Sequence, residues 1–312
     1  METYTNILIT GGGGFLGQHV VDAVKRRFGP EAVITIPERP GDDLRQMETC
    51  RRLAAGKDLI IHLAARVGGI GYNRENPATL FYDNAVMGIQ LMEAAHQAGV
   101  KKFVALGTVC AYPKFTPVPF KEDDLWIGYP EETNAPYGLA KKMLLVQAQA
   151  YRQQYGFNAI YLLPVNLYGP GDNFDPRSSH VIPALIRKMV EAREAGAPAV
   201  EIWGTGKASR EFCFVRDAAE AIAAAAEKYD APEPMNIGSG SEISIKDLAE
   251  LVSRIVGYSG RLDWNSSQPD GQPRRCLDIS RAKQALGFVS ATPLEQGLQE
   301  TAAWFEAHRA TL

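Results

Sequence analysis

The first half of the chain alternates short continuous apolar runs with stretches whose apolar residues recur at helical spacing. Asn6–Thr10 (NILIT), Ala32–Ile36 (AVITI), Asp58–Leu63 (DLIIHL), Lys102–Leu106 (KFVAL) and Ala159–Leu163 (AIYLL) predict five strands. Short apolar strands without alternation are buried on both faces, as in a parallel sheet covered by helices. Phe15–Phe28, Asn84–Ala98 and Ala135–Tyr155 predict helices, with Ala85, Ile89 and Met92 marking an apolar face at i, i+4 and i+7 in the second. This order predicts an α/β fold, a Rossmann-type doubly wound parallel sheet, through about Pro164.

The second half is less regular. Val181–Ala195, Arg216–Lys228, Ile245–Val256 and Leu294–Glu306 predict helices, the third capped by Ser244, and Ala199–Trp203 predicts a short strand. No repeat or low-complexity linker divides the chain. Residues 1–165 are expected to form a dinucleotide-binding domain. Residues 166–312 are expected to form a smaller, mostly helical substrate-binding region, with some segments packing back onto the first part and a cleft between.

Composition narrows the function. The 312 residues carry 33 basic and 36 acidic side chains, a net charge of −3, which gives no basic face for nucleic acid. No apolar run approaches the roughly 18 residues of a membrane span, so no membrane partner is expected. The opening METYTNILIT lacks a basic segment before an apolar one, so no secretory leader and a cytoplasmic location are expected. Cys50, Cys110, Cys213 and Cys276 form no Cys-x-x-Cys pair, which argues against a disulfide framework or a metal site.

The first strand runs directly into Gly11-Gly-Gly-Gly14-Phe15-Leu16-Gly17. Three glycines at this spacing allow a tight turn, a close approach of backbone to a pyrophosphate, and tight helix–strand packing. The pyrophosphate then rests on free N–H groups at the positive end of the helix. At the end of the second strand an acid reads the ribose 2′-hydroxyl of NAD, whereas an arginine accommodates the 2′-phosphate of NADP. Glu38, 21 residues after Gly17, is followed by Arg39, so the pair points both ways.

Tyr137 and Lys141, four residues apart, share one helix face. A neighbouring ammonium favours the phenolate and tunes such a tyrosine for proton exchange with a sugar hydroxyl or carbonyl. Thr108 adds a hydroxyl just beyond the fourth strand, at the carboxyl edge where open α/β sheets bind ligands.

With these residues the chain resembles the extended short-chain dehydrogenase/reductase family, the NAD-dependent epimerases and dehydratases, over essentially its whole length. Narrower segments resemble its branch of 3,5-epimerase-4-reductases acting on GDP-linked 4-keto-6-deoxy sugars. They are His62-Leu-Ala-Ala-Arg-Val-Gly-Gly-Ile70, Cys110-Ala-Tyr-Pro-Lys114, Asn166-Leu-Tyr-Gly-Pro170 and Asp172-Asn-Phe-Asp-Pro-Arg-Ser-Ser-His-Val-Ile-Pro-Ala184. Trp203-Gly-Thr-Gly206, Arg210-Glu-Phe212 and Pro269-Asp-Gly271 add to the match.

The resemblance implies conversion of GDP-4-keto-6-deoxy-D-mannose to GDP-L-fucose, by epimerisation at C3 and C5 and then reduction at C4. It makes Cys110 the base and His180 the acid of the epimerisations, where a core thiol and a structural histidine are the alternatives. It makes Tyr137 the proton donor to the C4 alkoxide, with Thr108 bonding the C4 oxygen. Lys141 lowers the tyrosine and holds the nicotinamide ribose. Gly11, Gly14, Phe15, Leu16, Gly17, Glu38, Arg39, Leu63, Ala64, Ala65, Leu106, Lys141, Pro164, Asn166, Leu167 and His180 would contact the dinucleotide. Val67, Asn166, Lys188, Trp203, Arg210, Asp270 and Arg275 would contact the GDP-sugar, with a core role the alternative for Trp203. His19, His62, His96 and His308 are read as structural.

The family points to NADP(H); Glu38 keeps NAD(H) open. The family also implies a homodimer joined by the helices near 84–98 and 135–155 in a four-helix bundle. The chain departs from the family pattern in having Thr108 in place of a serine, glycines at 12 and 13 where some members carry an arginine, and Arg216 where an acid is common. Two alternatives remain: a reductase of a related GDP-sugar, such as a 4-keto-deoxyheptose, or an epimerase that recycles bound NAD. A non-catalytic dinucleotide sensor is a third.

Overall fold

The computed structural model describes residues 4–38, 40–268 and 270–312. Arg39, expected at the dinucleotide, lies outside the described residues. Six strands form one parallel sheet: β1 (Asn6–Thr10), β2 (Val33–Thr35), β3 (Leu59–His62), β4 (Lys102–Leu106), β5 (Ala159–Pro164) and, after three intervening strands, β9 (Met235–Ile237). Their spatial order is β2-β1-β3-β4-β5-β9. Chain order reverses at β1, whose neighbours are β2 and β3. Ligands bind at such a switch point, beyond the carboxyl ends of the strands.

The strands form where apolar runs permit burial on both faces. Every residue of β3 and β4 is buried. Even Lys102 is accommodated, because its ammonium donates to the Ala225 and Tyr229 carbonyls, 3.1 and 2.6 Å away. Those carbonyls lie at the C-terminal end of a later helix, where a cation is favoured.

The connecting helices are α1 (Phe15–Phe28), α2 (Met47–Ala54), α3 (Ile70–Glu75), α4 (Pro77–Gln97) and α5 (Ala135–Tyr155). The fourth begins seven residues earlier than its apolar face predicts, because Pro77 opens its first turn.

In the second half, helices α6 (Val181–Glu194), α7 (Val215–Lys228), α8 (Ile245–Val256) and α10 (Leu294–His308) follow the predicted pattern closely. Ser244 caps α8, its hydroxyl accepting from the Asp247 amide at 3.0 Å. Helix α9 (Ser280–Leu286) is short and was not predicted. Five further strands were also missed: β6 (Asn166–Tyr168), β8 (Ser209–Phe214), β9 in the large sheet, β10 (Glu242–Ser244) and β11 (Arg261–Asn265). Strands β10, β8 and β6 form one small sheet; β11 pairs with β7 (Ala199–Trp203). One apolar core surrounds the large sheet, and a second joins α6, α8 and α10 to the small strands. None of the described helices is long and apolar enough to cross a membrane.

Gly17 fixes how closely α1 meets β1. A Cβ there would lie 2.0 Å from the Gly11 carbonyl oxygen and 2.6 Å from the Gly12 Cα, and backbone cannot yield. A Cβ on Gly13 would meet nothing within 4 Å. Gly17→Ala is therefore expected to cost about 1–3 kcal/mol in urea denaturation, and Gly13→Ala less than about 0.5 kcal/mol. Equal stability of the two variants would refute the close-approach account.

Candidate active site

The carboxyl ends of β1, β3, β4 and β5 open into a cleft of about 980 Å³. Gly11 turns the chain out of β1 with φ +72°, a conformation glycine adopts without strain, and approaches Ala64 at the end of β3. Gly14 caps α1 without a side-chain hydrogen bond, and no acid sits in the first turn. The helix therefore presents unpaired N–H groups and no opposing charge, which fits a pyrophosphate. Gly11, Gly14, Phe15, Leu16, Gly17, Leu63, Ala64, Ala65, Val67, Leu106, Pro164, Asn166 and Leu167 all line this cleft.

Glu38 is placed differently from expectation. It is exposed and does not line the cleft; its amide donates to Asp42 at 2.8 Å. The chain turns after Pro37, so Asp42, Asp43 and Arg45 line that end of the cleft in its place. Asp43 pairs with Arg45 at 2.8 Å, and Arg45 also reaches Asp83 at 3.2 Å.

Thr108, Cys110, Tyr137, Lys141 and His180 all line the same cleft. A 3₁₀ turn (Val109–Ala111) after β4 brings Cys110 beside Thr108, whose hydroxyl accepts the Cys110 amide at 3.2 Å. Helix α5 crosses this turn at Gly138, where a Cβ would lie 2.3 Å from the Cys110 carbonyl oxygen. That contact sets Tyr137 against the turn, so that it lines the cleft together with Thr108.

Burial raises the Tyr137 phenol above its ordinary value; Cys110 adds to the shift and the Thr108 hydroxyl opposes it. This corrects the expected lowering by Lys141: in the ligand-free cleft, dehydration governs the phenol. Lys141 is itself buried, which pushes it down to about 8. His62 lies beneath it on β3, bonded to Thr10 at 2.8 Å, and is held neutral by burial and by the Lys141 charge.

Cys110 is half-buried and faces Arg275, whose Nη1 is 3.9 Å from its sulfur. His180 caps α6 and opens to the cleft. Dehydration, then the Arg275 charge, lowers its imidazole. Arg210 is pushed down to about 10 by burial and by Arg275, with Asp270 opposing. Among the described residues no carboxylate pairs with either guanidinium, so this end of the site favours an anion.

Arg210, Asp270, Trp203 and Lys188 form a second cluster that does not line the main cleft. Arg210 donates to the Asp270 carbonyl at 3.0 Å, and Asp270 accepts from Thr205 at 2.7 Å. Trp203 is 63% exposed, which removes the core reading. Lys188 donates to the Glu201 carbonyl at 2.8 Å, two residues from Trp203. Asn166 bridges the two regions, lining the cleft while donating to the Glu211 carbonyl at 2.9 Å.

Asp172 was quoted in a motif without a role. It is buried in the cleft wall, one carboxyl oxygen has no partner, and burial raises it to about 7. Gln272, outside every motif used, holds Arg275. Sequence spacing carries no signal for either contact.

Residues 7–238 match the NAD dependent epimerase/dehydratase family. The chain is 46% identical to the probable GDP-L-fucose synthase 1 of Oryza sativa subsp. japonica, over 79% of this chain and 75% of that one. It is 37% identical to the GDP-L-fucose synthase of Escherichia coli K12, over 96% of each chain. A GDP-mannoheptose C4 reductase from Campylobacter jejuni, solved with NADP bound, superposes with a TM-score of 0.87 at 28% identity, covering 98% of this chain and 99% of the other. A cleft with a glycine-cradled helix end, a Thr/Tyr/Lys group and these relatives place the chain in the NAD dependent epimerase/dehydratase family, with similarity to its GDP-L-fucose synthases.

Proposed function

We propose that this chain converts GDP-4-keto-6-deoxy-D-mannose to GDP-L-fucose, using NADP(H), as a homodimer. The observation that carries the reading is the meeting of two groups in one cleft: Thr108, Tyr137 and Lys141 for reduction, Cys110 and His180 for epimerisation. The unpaired Arg210 and Arg275 beside them suit a diphosphate-linked sugar.

The 4-ketone acidifies the hydrogens at C3 and C5. Cys110 removes each proton, the electron pair moves into an enediolate, and His180 returns a proton on the opposite face. Dehydration and Arg275 keep His180 neutral in the free cleft. The negative charge of a bound diphosphate opposes Arg275 and restores the imidazolium that donates.

When bound, the nicotinamide supplies the hydride for C4. Tyr137, kept protonated by its raised value, gives its proton to the alkoxide while Thr108 holds the oxygen. Lys141 lies one turn along the same face of α5 and offsets the phenolate charge. Gly11, Gly14 and the first turn of α1 hold the pyrophosphate.

Asp42 and Asp43 at the ribose end support a second reading, NAD(H) as the preferred cofactor. The dimer is supported by exposed apolar side chains on the two longest helices, Phe81 and Tyr82 on α4 and Met143 and Val146 on α5.

Incubation with GDP-4-keto-6-deoxy-D-mannose and NADPH or NADH, followed by NMR, is expected to yield GDP-L-fucose, faster with NADPH. Tyr137→Phe is expected to lose reduction while keeping solvent-deuterium exchange at C3 and C5; undiminished reduction sinks the assignment.

The lowered Lys141 value has a stability consequence. The native state sheds this proton near pH 8 and the unfolded state near 10.5. Burying the ammonium thus costs about 3 kcal/mol below pH 8, and the cost disappears as pH rises toward 10.5. Ligand-free Lys141→Met should be more stable than the parent at pH 7 by up to that amount, and the gap should close by pH 10.5 in urea titrations.

Light scattering should give twice the chain mass for the parent and a single chain mass for Val146→Glu. A monomeric parent would rule out the dimer.

A further inference from the structure

Arg275 is a buried guanidinium at 9% exposure, with no carboxylate partner among the described residues. Its Nε and Nη2 both donate to one atom, the Gln272 Oε1, at 3.3 and 3.1 Å. That shared acceptor occupies one edge of the guanidinium plane and leaves Nη1 facing the Cys110 sulfur at 3.9 Å. Gln272 is also buried, and its amide orientation is fixed because Nε2 donates to the Lys114 carbonyl at 2.8 Å. The backbone on either side is pinned as well: the Arg275 carbonyl accepts the Glu211 amide at 2.9 Å, and the Cys276 carbonyl accepts the Phe120 amide at 2.8 Å.

We propose that Gln272 is a positioning residue that aims Arg275 at Cys110, and that the guanidinium thereby stabilises the anionic sulfur as the base of the epimerisation. The catalytic part rests on the reading of Cys110 given above. A buried cation beside a neutral amide and a thiol is costly unless a counter-charge forms. The Cys110 sulfur, 3.9 Å from Nη1, is the group placed to supply one. A neutral glutamine suits this task where a carboxylate would not: glutamate would orient the same fork but cancel the charge directed at sulfur. Arg275 bears on His180 in the complementary sense, disfavouring its cation until an anionic substrate arrives.

The test follows thiolate reactivity in the ligand-free enzyme, using iodoacetamide at pH 7 and mass spectrometry of the Cys110 peptide. Cys50, Cys213 and Cys276 are buried, and peptide assignment separates them. Gln272→Glu and Arg275→Met are each expected to slow Cys110 alkylation at least about tenfold. Arg275→Lys, which keeps the charge, is expected to restore part of the rate. NADPH binding by fluorescence confirms that each variant is folded, and if Arg275→Met fails to fold the conservative Gln272→Glu decides alone. Exchange of deuterium into C3 and C5 should fall in parallel. Alkylation within twofold of the parent in folded Gln272→Glu overturns the proposal, and a defect confined to KM for the GDP-sugar assigns Arg275 to the diphosphate alone. Cys110→Ser separates the two layers: full exchange in that variant refutes Cys110 as the base, whereas the alkylation rates still report on Gln272 and Arg275.

Discussion

A single buried carboxylate ties the halves of this molecule together at the site. Glu211, fully buried on β8, accepts the Leu277 amide at 2.6 Å and the Gly240 amide at 2.7 Å. Its own amide donates to the Arg275 carbonyl, and its carbonyl accepts Asn166. One residue thus sets the segment carrying Arg275, the turn after β9, and the cleft-facing Asn166. Burial raises the carboxyl and the surrounding N–H donors oppose that shift. Among the described residues Glu211 has no cationic partner, which leaves the nearby guanidiniums uncommitted, and Arg210, the residue before Glu211, points the other way toward Asp270. Placement of charge at the substrate end therefore depends on an acid that never meets the substrate cleft.

Close approach plays the equivalent part at the cofactor end. The contacts that matter there are distances no side chain could permit, at Gly17 against Gly11 and at Gly138 against Cys110. The second explains why the tyrosine and lysine of α5 meet the hydroxyl and thiol of the turn after β4. It was visible in the sequence as the glycine within Tyr137-Gly-Leu-Ala-Lys141, although spacing alone could not say what it approached.

Strands β1 to β5 of the large sheet were legible because they are short continuous apolar runs separated by stretches of helical period. Strands β6, β8, β9, β10 and β11 were not, since three to six residues of mixed polarity form strands only when a distant partner supplies the ladder. That Thr108, Cys110, Tyr137, Lys141 and His180 line one cleft was expected from motif, spacing and family resemblance. Their charge states were not. Lys141 was expected to act on Tyr137, yet dehydration outweighs that pairing. Glu38 was expected at the ribose, yet it does not line the cleft, where Asp42 and Asp43 do. Spacing fixes neighbours along a helix; it does not fix how a loop folds back or how much water a cleft retains.

The shifts share one direction. Lys141, His180 and Arg210 are each displaced toward the neutral form, and Tyr137 and Asp172 are likewise held protonated by burial. Burial of this kind places desolvation cost on the cations in and beside the cleft, offset by the packing of the two apolar cores. On the proposed function, anionic groups entering at the helix end and beside Arg210 remove that cost in the same event that restores the protonated imidazole. Binding and activation are then one electrostatic step. On the proposed function, the positions that destabilise the ligand-free fold are those whose charge the reaction uses, so substitutions that relieve the strain on stability should silence the chemistry.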